Sequence, residues 1–253
     1  MKLSFRDKME KSSEEKGSNI VLALDPPLDD RMQMIKKAKK ILESTRDHIC
    51  AVKFNRHLIL PLGLFSGVQE LIRQAEEYQL PTIMDCKIND IGNTNRIIAE
   101  HYFNGGFEAL TANPFVGWED GLQPVFETAR RMSRGVILLV YMSHRSAGEG
   151  YGRAFVTADN ERAPAYSIFA RKALEWKADG AVVGATYPER IGEISSILGR
   201  NVPIYSPGVG AQGGKISLCM KNGARYLIVG RTITLAQHPG RVAEKIKTQA
   251  RVT

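Results

Sequence analysis

The chain is predicted to be an α/β protein, a single (β/α)8 TIM barrel with an extra N-terminal helix, on three observations. Eight short apolar runs of strand character alternate with eight amphipathic segments of helical period. Such alternation builds a parallel sheet, and eight units within 253 residues close it into a barrel. No linker or internal repeat divides the chain, so residues 1–253 read as one domain. An open, doubly wound sheet is the competing arrangement.

Ser4–Lys16 is an additional charged helix, expected to cover the bottom of the barrel. Asn19–Asp25 is the first strand; Pro26 and Pro27 end it, and Asp29 and Asp30 suit the start of a helix over Asp30–Thr45. Ile49–Asn55 is the second strand, followed by a helical period over Leu64–Tyr78. Thr82–Lys87 and Gly92–Asn104 form the third unit, and Glu108–Ala112 and Trp118–Met132 the fourth. Gly135–Ser143 is the fifth strand, and its core, Val136–Met142, is the longest apolar run. The irregular stretch His144–Asn160 follows, rich in Gly, Ser and Arg, before a helix over Arg162–Lys177; loops of that length in compact enzymes often act as lids. The last three units are Gly180–Gly184 with Pro188–Leu198, Val202–Ser206 with Gly214–Asn222, and Arg225–Val229 with Pro239–Arg251.

Hydrophobic residues at 43% and charged residues at 25% are ordinary for a globular protein in water. Met1–Gly17 is charged throughout and has no apolar centre, which argues against a signal peptide, and Val136–Met142 is far too short to span a bilayer. Cys50, Cys86 and Cys219 are scattered and odd in number, so neither a disulfide framework nor zinc spacing is expected. The expected compartment is the cytoplasm, with no membrane partner. The net charge of +8 raises nucleic-acid binding, but all of it lies in Arg190–Thr253, where ten Lys and Arg face only Glu193 and Glu244. No aromatic residues interleave with those bases and no nucleic-acid-binding motif appears, so no nucleic-acid partner is expected; an anionic small substrate fits the asymmetry better.

The most informative stretch is Thr82-Ile-Met-Asp-Cys-Lys-Ile-Asn-Asp-Ile-Gly-Asn-Thr94. A strand alternates its faces, so Asp85 and Lys87 point one way and Met84 and Cys86 the other. Opposite charges on one face at a strand's C-terminal end are costly to hold unless chemistry uses them, and that end of a barrel is where active sites sit. The other strand ends add Asp25, Lys53, Asn113, Ser143, the Pro207–Gly214 loop and Gly230-Arg231. Taken singly, Asp25 also suits a helix cap and Lys53 a solvated strand end. Together, Lys53, Asp85, Lys87 and Asp90 suit an alternating charge network that fixes each group's position and ionisation.

Gly208-x-Gly210-x-x-Gly213 matches the dinucleotide fingerprint, yet it lies late in the chain, and Gly230-Arg231 stands where a ribose-binding acid is expected. A phosphate site after strands seven and eight fits better, with Arg231 supplying a bidentate charge; a tight glycine turn is the bland alternative. His48, His57, His101, His144 and His238 show no metal-ligand spacing, and no metal is expected. Cys86 reads as an inert core thiol, and Trp118 and Trp176 as packing residues.

These residues resemble a known family. Asp85-x-Lys87-x-x-Asp90-Ile91-x-x-Thr94, Met142-Ser143-His144, Pro207-Gly-Val-Gly-Ala-Gln212 and Val229-Gly230-Arg231 are similar, in that order, to orotidine 5′-phosphate decarboxylase of the archaeal type. The resemblance implies decarboxylation of orotidine 5′-monophosphate to UMP and CO2, the last step of de novo UMP synthesis, without metal or cofactor. It makes Lys87 the acid that protonates C6, sets Asp85 against the departing carboxylate, and has Lys53 hold the charge array and contact the ribose. Asp25 would bind ribose hydroxyls and Ser143 the pyrimidine edge. Gln212, in the loop opened by Pro207, would bridge pyrimidine and phosphate, and Arg231, with the Gly230 backbone, would grip the phosphate. Asp90 and Thr94 would reach into the partner's site of a homodimer.

Two other readings remain. A hexulose-phosphate aldolase or keto-sugar-acid phosphate decarboxylase of the same superfamily resembles the Asp-x-Lys-x-x-Asp core, but relies on a divalent metal and an acid shortly after it. Here that region reads Ile91-Gly-Asn-Thr94, with no acid before Glu100. A non-catalytic sensor of a phosphate ligand would have no use for a proton donor at Lys87.

Overall fold

The computed structural model describes residues 3–157 and 160–251. The chain opens with α1 (Phe5–Lys16), capped by the Ser4 hydroxyl, which accepts from the Asp7 N–H, and closed by Gly17 in the left-handed region at φ 52°. Eight parallel strands then form the barrel: β1 (Ile20–Ala23), β2 (Ala51–Asn55), β3 (Thr82–Ile88), β4 (Ala109–Ala112), β5 (Gly135–Tyr141), β8 (Gly180–Val183), β9 (Ile204–Pro207) and β10 (Ala224–Val229), with β10 pairing back to β1. Between β5 and β8 a small antiparallel hairpin, β6 (Ala154–Val156) with β7 (Arg162–Pro164), lies outside the barrel.

The helices between the strands are α2 (Arg31–Thr45), α3 (Arg56–Leu62), α4 (Val68–Glu77), α5 (Gly92–Asn104), α6 (Gln123–Arg131), α7 (Ala147–Gly150), α8 (Ala165–Glu175), α9 (Pro188–Leu198), α10 (Ile216–Lys221), α11 (Arg231–Thr234) and α12 (Pro239–Arg251). Three differences from expectation have local causes. The chain turns helical directly after β2, until Gly63 at φ 75° breaks α3 from α4. The segment from Trp118 enters through a wide turn with Asp120 at φ 52°, so α6 starts only at Gln123. Arg162–Pro164 stays extended to pair with β6, and Pro164 caps α8. The His144–Asn160 stretch therefore carries α7 and half a hairpin, with residues 158 and 159 outside the described residues. The Tyr187 hydroxyl ties its start down, its one hydrogen shared between the carbonyls of His144 and Arg145.

Alternation along the strands divides the core. Residues such as Ile20, Leu22, Met84 and Cys86 pack outward against the helices. Val21, Ile83, Ala109, Ile137, Val182 and Tyr226 point into the barrel and fill its lower part with the Phe5 and Met9 side chains of α1. A Cβ on Gly135 would stand 2.4 Å from the Phe5 ring, so this glycine is what lets α1 plug the bottom. With the lower half filled by apolar groups, the polar residues of the strand ends are confined to the upper mouth. Among the described residues no helix is long and apolar enough to cross a membrane.

Candidate active site

The upper mouth opens into a cavity floored by Ile83, Ile137, Leu139, Val182 and Ile228. Asp25, Lys53, Asp85, Lys87, Ser143, Pro207, Gln212, Gly230 and Arg231 all line it. Asp90 and Thr94 do not. Asp90 lies exposed after β3, its carboxylate accepting the Ile91 N–H at 2.7 Å, and Thr94 lies half-buried on α5. Asn113, whose strand end was expected at the mouth, turns away: its side-chain oxygen accepts from the Phe115 N–H at 3.1 Å and caps a short turn. Thr111, two residues earlier and on the inner face of β4, takes its place. Asn55, at the end of β2, also lines the cavity.

The centre of the site is one carboxylate between two ammonium groups. Lys53 Nζ donates to Asp85 Oδ2 at 2.7 Å, and Lys87 Nζ donates to Asp85 Oδ1 at 2.6 Å. The Thr111 hydroxyl donates to the same Oδ1 at 2.9 Å. Lys53 and Asp85 are 6% and 9% exposed, so their pairing is shielded from water and salt. Burial pushes the Asp85 carboxyl upward, but the two ammonium groups and their hydrogen bonds outweigh it and hold the group well below the usual carboxylate range. Three members of the expected charge network thus meet within one chain, carrying a net positive charge, and Asp90 is the one that stays apart.

Around this centre, Asp25 stands at the end of β1 with Oδ2 beside Gly230. Its Oδ1 is buried without a hydrogen-bond partner; His57 Nε2 lies 3.3 Å away but out of hydrogen-bond alignment. The loop after β9 has Gly208, Gly210 and Gly213 at φ 99°, 74° and 93°, which side chains rarely tolerate. Its amides are largely spent internally: Gly210 N–H donates to Gly214, Gly213 N–H to Gly210 and Gly214 N–H to Gly208, while Ala211 N–H donates to the Thr232 hydroxyl. The loop is thereby braced by its own hydrogen bonds, and Arg231, exposed at the start of α11, is the cation on its rim. Cys86 faces the helices, where burial pushes its thiol up to about 12. Trp118 and Trp176 pack together at 5.1 Å between ring centres. Among the described residues no three His, Cys, Asp or Glu side chains converge as a metal site would need.

Residues 18–246 match the model of the orotidine 5′-phosphate decarboxylase / HUMPS family. The chain belongs to this family. It is 39% identical over 235 residues to orotidine 5′-phosphate decarboxylase of Methanosarcina barkeri, covering 93% of this chain and 96% of that one. The enzyme of the same name from Thermococcus kodakarensis is 37% identical over 229 residues, covering 90% and 95%. Among solved structures, the Methanocaldococcus jannaschii orotidine 5′-monophosphate decarboxylase complexed with inhibitor BMP superposes with a TM-score of 0.76 at 29% identity, covering 92% of this chain and 98% of that one. The Leishmania donovani OMP decarboxylase, at 23% identity and a TM-score of 0.86 over 99% of this chain and 98% of its own, shares the fold.

Proposed function

We propose that this family member decarboxylates orotidine 5′-monophosphate to UMP and CO2, and that the Lys53–Asp85–Lys87 triad carries the reaction. The observation behind the assignment is the single buried carboxylate flanked by two ammonium groups at 2.7 and 2.6 Å. Loss of CO2 from C6 leaves an electron pair on a ring carbon with no adjacent electron sink. The barrier is therefore set by that developing charge, and a preorganised cation beside it is the most effective stabiliser. Lys87 stands on the cavity wall with its ammonium held toward Asp85. As the C6–CO2 bond breaks, its electron pair stays on C6; Nζ of Lys87 then gives C6 a proton, producing UMP and a neutral amine that solvent reprotonates.

Asp85 acts on the ground state. An ionised carboxylate next to the substrate's own carboxylate repels it, and that repulsion is relieved as neutral CO2 departs. The low-lying ionisation of Asp85 supports this role, because a protonated acid would exert no such repulsion. Lys53 fixes Asp85 from the other side and reaches the ribose. Asp25, with an unsatisfied oxygen, receives ribose hydroxyls, and Ser143 and Gln212 take the pyrimidine edge. Pro207 and Gly230 shape the wall under Arg231, which holds the phosphate; with the loop amides of Gly210, Ala211, Gly213 and Gly214 spent, most of the charge on that phosphate falls to the guanidinium.

The working unit in this reading is a homodimer acting in the cytoplasm as one barrel per chain, with Asp90 and Thr94 completing the partner's site. Ile91 and Ile97 flank Thr94 and are 67% and 40% exposed, and the Phe65 ring packs edge-on against His101 on the same helix. A second copy covering that face would remove this apolar surface from water. The test is EDTA-treated protein mixed with orotidine 5′-monophosphate, following loss of substrate absorbance and formation of UMP. Turnover that survives chelation is expected; an enzyme that stops with EDTA and restarts with a divalent cation overturns the metal-free mechanism.

A further inference from the structure

Strands β3 and β4 do not run in simple register past the triad. Met84 pairs with Leu110 and Ile88 with Ala112, so four steps on β3 run against two on β4. The surplus is taken up across Asp85–Lys87, where Lys87 enters the left-handed region at φ 50°, a conformation disfavoured for any residue with a Cβ. Such bulges re-aim side chains and break the ladder locally, leaving backbone groups to find other partners. Here the partner is a side chain. Thr111 Oγ1 accepts the Lys87 N–H at 2.9 Å, and the same hydroxyl donates its one hydrogen to Asp85 Oδ1 at 2.9 Å. The ladder resumes immediately after, with Asn113 N–H donating to the Ile88 carbonyl at 2.8 Å.

We propose that Thr111 is the positioning residue of the site: its hydroxyl replaces the missing ladder acceptor at Lys87 and sets the carboxylate that orients the Lys87 ammonium. Lys87 Nζ and Thr111 Oγ1 converge on one oxygen, so the place of that oxygen, and of the ammonium it holds, depends on the hydroxyl. Thr111 is 2% exposed on the wall of the cavity, and both of its bonds are made inside the protein. A hydroxyl offers one donor and two acceptor sites, and the geometry needs one of each; valine matches the shape and supplies neither. The assignment rests on the reading of Lys87 as the proton donor.

Steady-state kinetics of Thr111→Val and Thr111→Ser, with folded sites counted by UMP binding, tests this. In Thr111→Val the expected loss is about 10- to 100-fold in kcat, the range that misplacement by roughly an ångström produces. KM and UMP affinity stay within about twofold, because ribose and phosphate contacts come from other strands. Thr111→Ser, which keeps the hydroxyl, recovers most of kcat. A residue that merely stabilised the fold would lower the folded fraction without changing kcat per folded site. Should Thr111→Val not fold, Thr111→Ala carries the same expectation. A wild-type kcat in the valine or alanine variant, or a serine variant as impaired as they are, overturns the assignment. A wild-type chain that leaves orotidine 5′-monophosphate unchanged removes the decarboxylase reading and this assignment with it.

Discussion

Asp85 and Lys87 sit two residues apart on one strand face, yet the proposed reaction needs opposite behaviour from them: the carboxylate must never take a proton and the ammonium must give one up. Two neighbouring cations keep Asp85 ionised against the cost of its burial. The sign for stability follows from that depression. The pairing contributes fully above the unfolded carboxylate value of about 3.9 and is lost as pH falls below it. Removing Lys87 takes away both the proton source and half of the positive charge around Asp85. Lys87→Ala is therefore expected to lower kcat by at least about 10²–10⁴-fold, the usual worth of a general acid. Binding of UMP should remain measurable by calorimetry, since Arg231 is contributed by α11 and not by β3. Near-normal turnover in that variant would mean that C6 receives its proton from elsewhere.

At the scale of elements, the closed bottom of the barrel contains a second, half-buried acid whose behaviour runs the other way. Asp179 precedes β8 and clips it to β5: its Oδ2 accepts the Val136 N–H at 2.9 Å, and its own N–H donates to the Val136 carbonyl at 2.8 Å. Burial pushes its carboxyl up to about 6, with the Val136 hydrogen bond and the Arg6 and Arg130 charges only partly offsetting that. Between the unfolded value of about 3.9 and 6 the folded chain keeps a proton that the unfolded chain has lost. Stability from this group is thus present at low pH and declines as pH rises through that window. The melting temperature of Asp179→Asn, followed across it, should be flatter than that of wild type; parallel profiles would show that Asp179 does not titrate there. The eight barrel strands and the long helices of this element framework were legible in the sequence because apolar alternation and helical period are written residue by residue. α3 was not, because it is short, contains Pro61 and follows β2 without a loop. The hairpin of β6 and β7 was not, because its residues are exposed or half-buried and carry no alternating pattern. In the site, charges at strand ends announced Lys53, Asp85 and Lys87, whereas Thr111 is an ordinary threonine until the bulge in β3 gives its hydroxyl two partners. The exclusion of Asn113 was equally hidden, since it depends on a local turn.

For the whole molecule, the decisive matter is whether one chain makes a complete site. Among the described residues Lys87 pairs with one carboxylate, that of Asp85, and Asp90 faces outward beside the exposed Ile91. If Asp90 serves the neighbouring subunit, then Lys87→Ala and Asp90→Ala damage different sites of a mixed dimer. In a two-fold dimer carrying one of each, the site built on the Lys87→Ala chain lacks its own lysine and also receives the substituted position 90 of its neighbour, so it is doubly broken. The other site is whole: the Asp90→Ala chain keeps its own Lys87 and receives Asp90 from the Lys87→Ala chain. Each variant alone has two broken sites. Unfolding and refolding equal amounts together places about half of the chains in mixed dimers with one whole site each, so activity should return to about a quarter of the wild-type value. A mixture that stays as inactive as its components would place Asp90 in its own chain's site, and the active unit would then be the single barrel; an Asp90→Ala variant active on its own would place Asp90 outside catalysis.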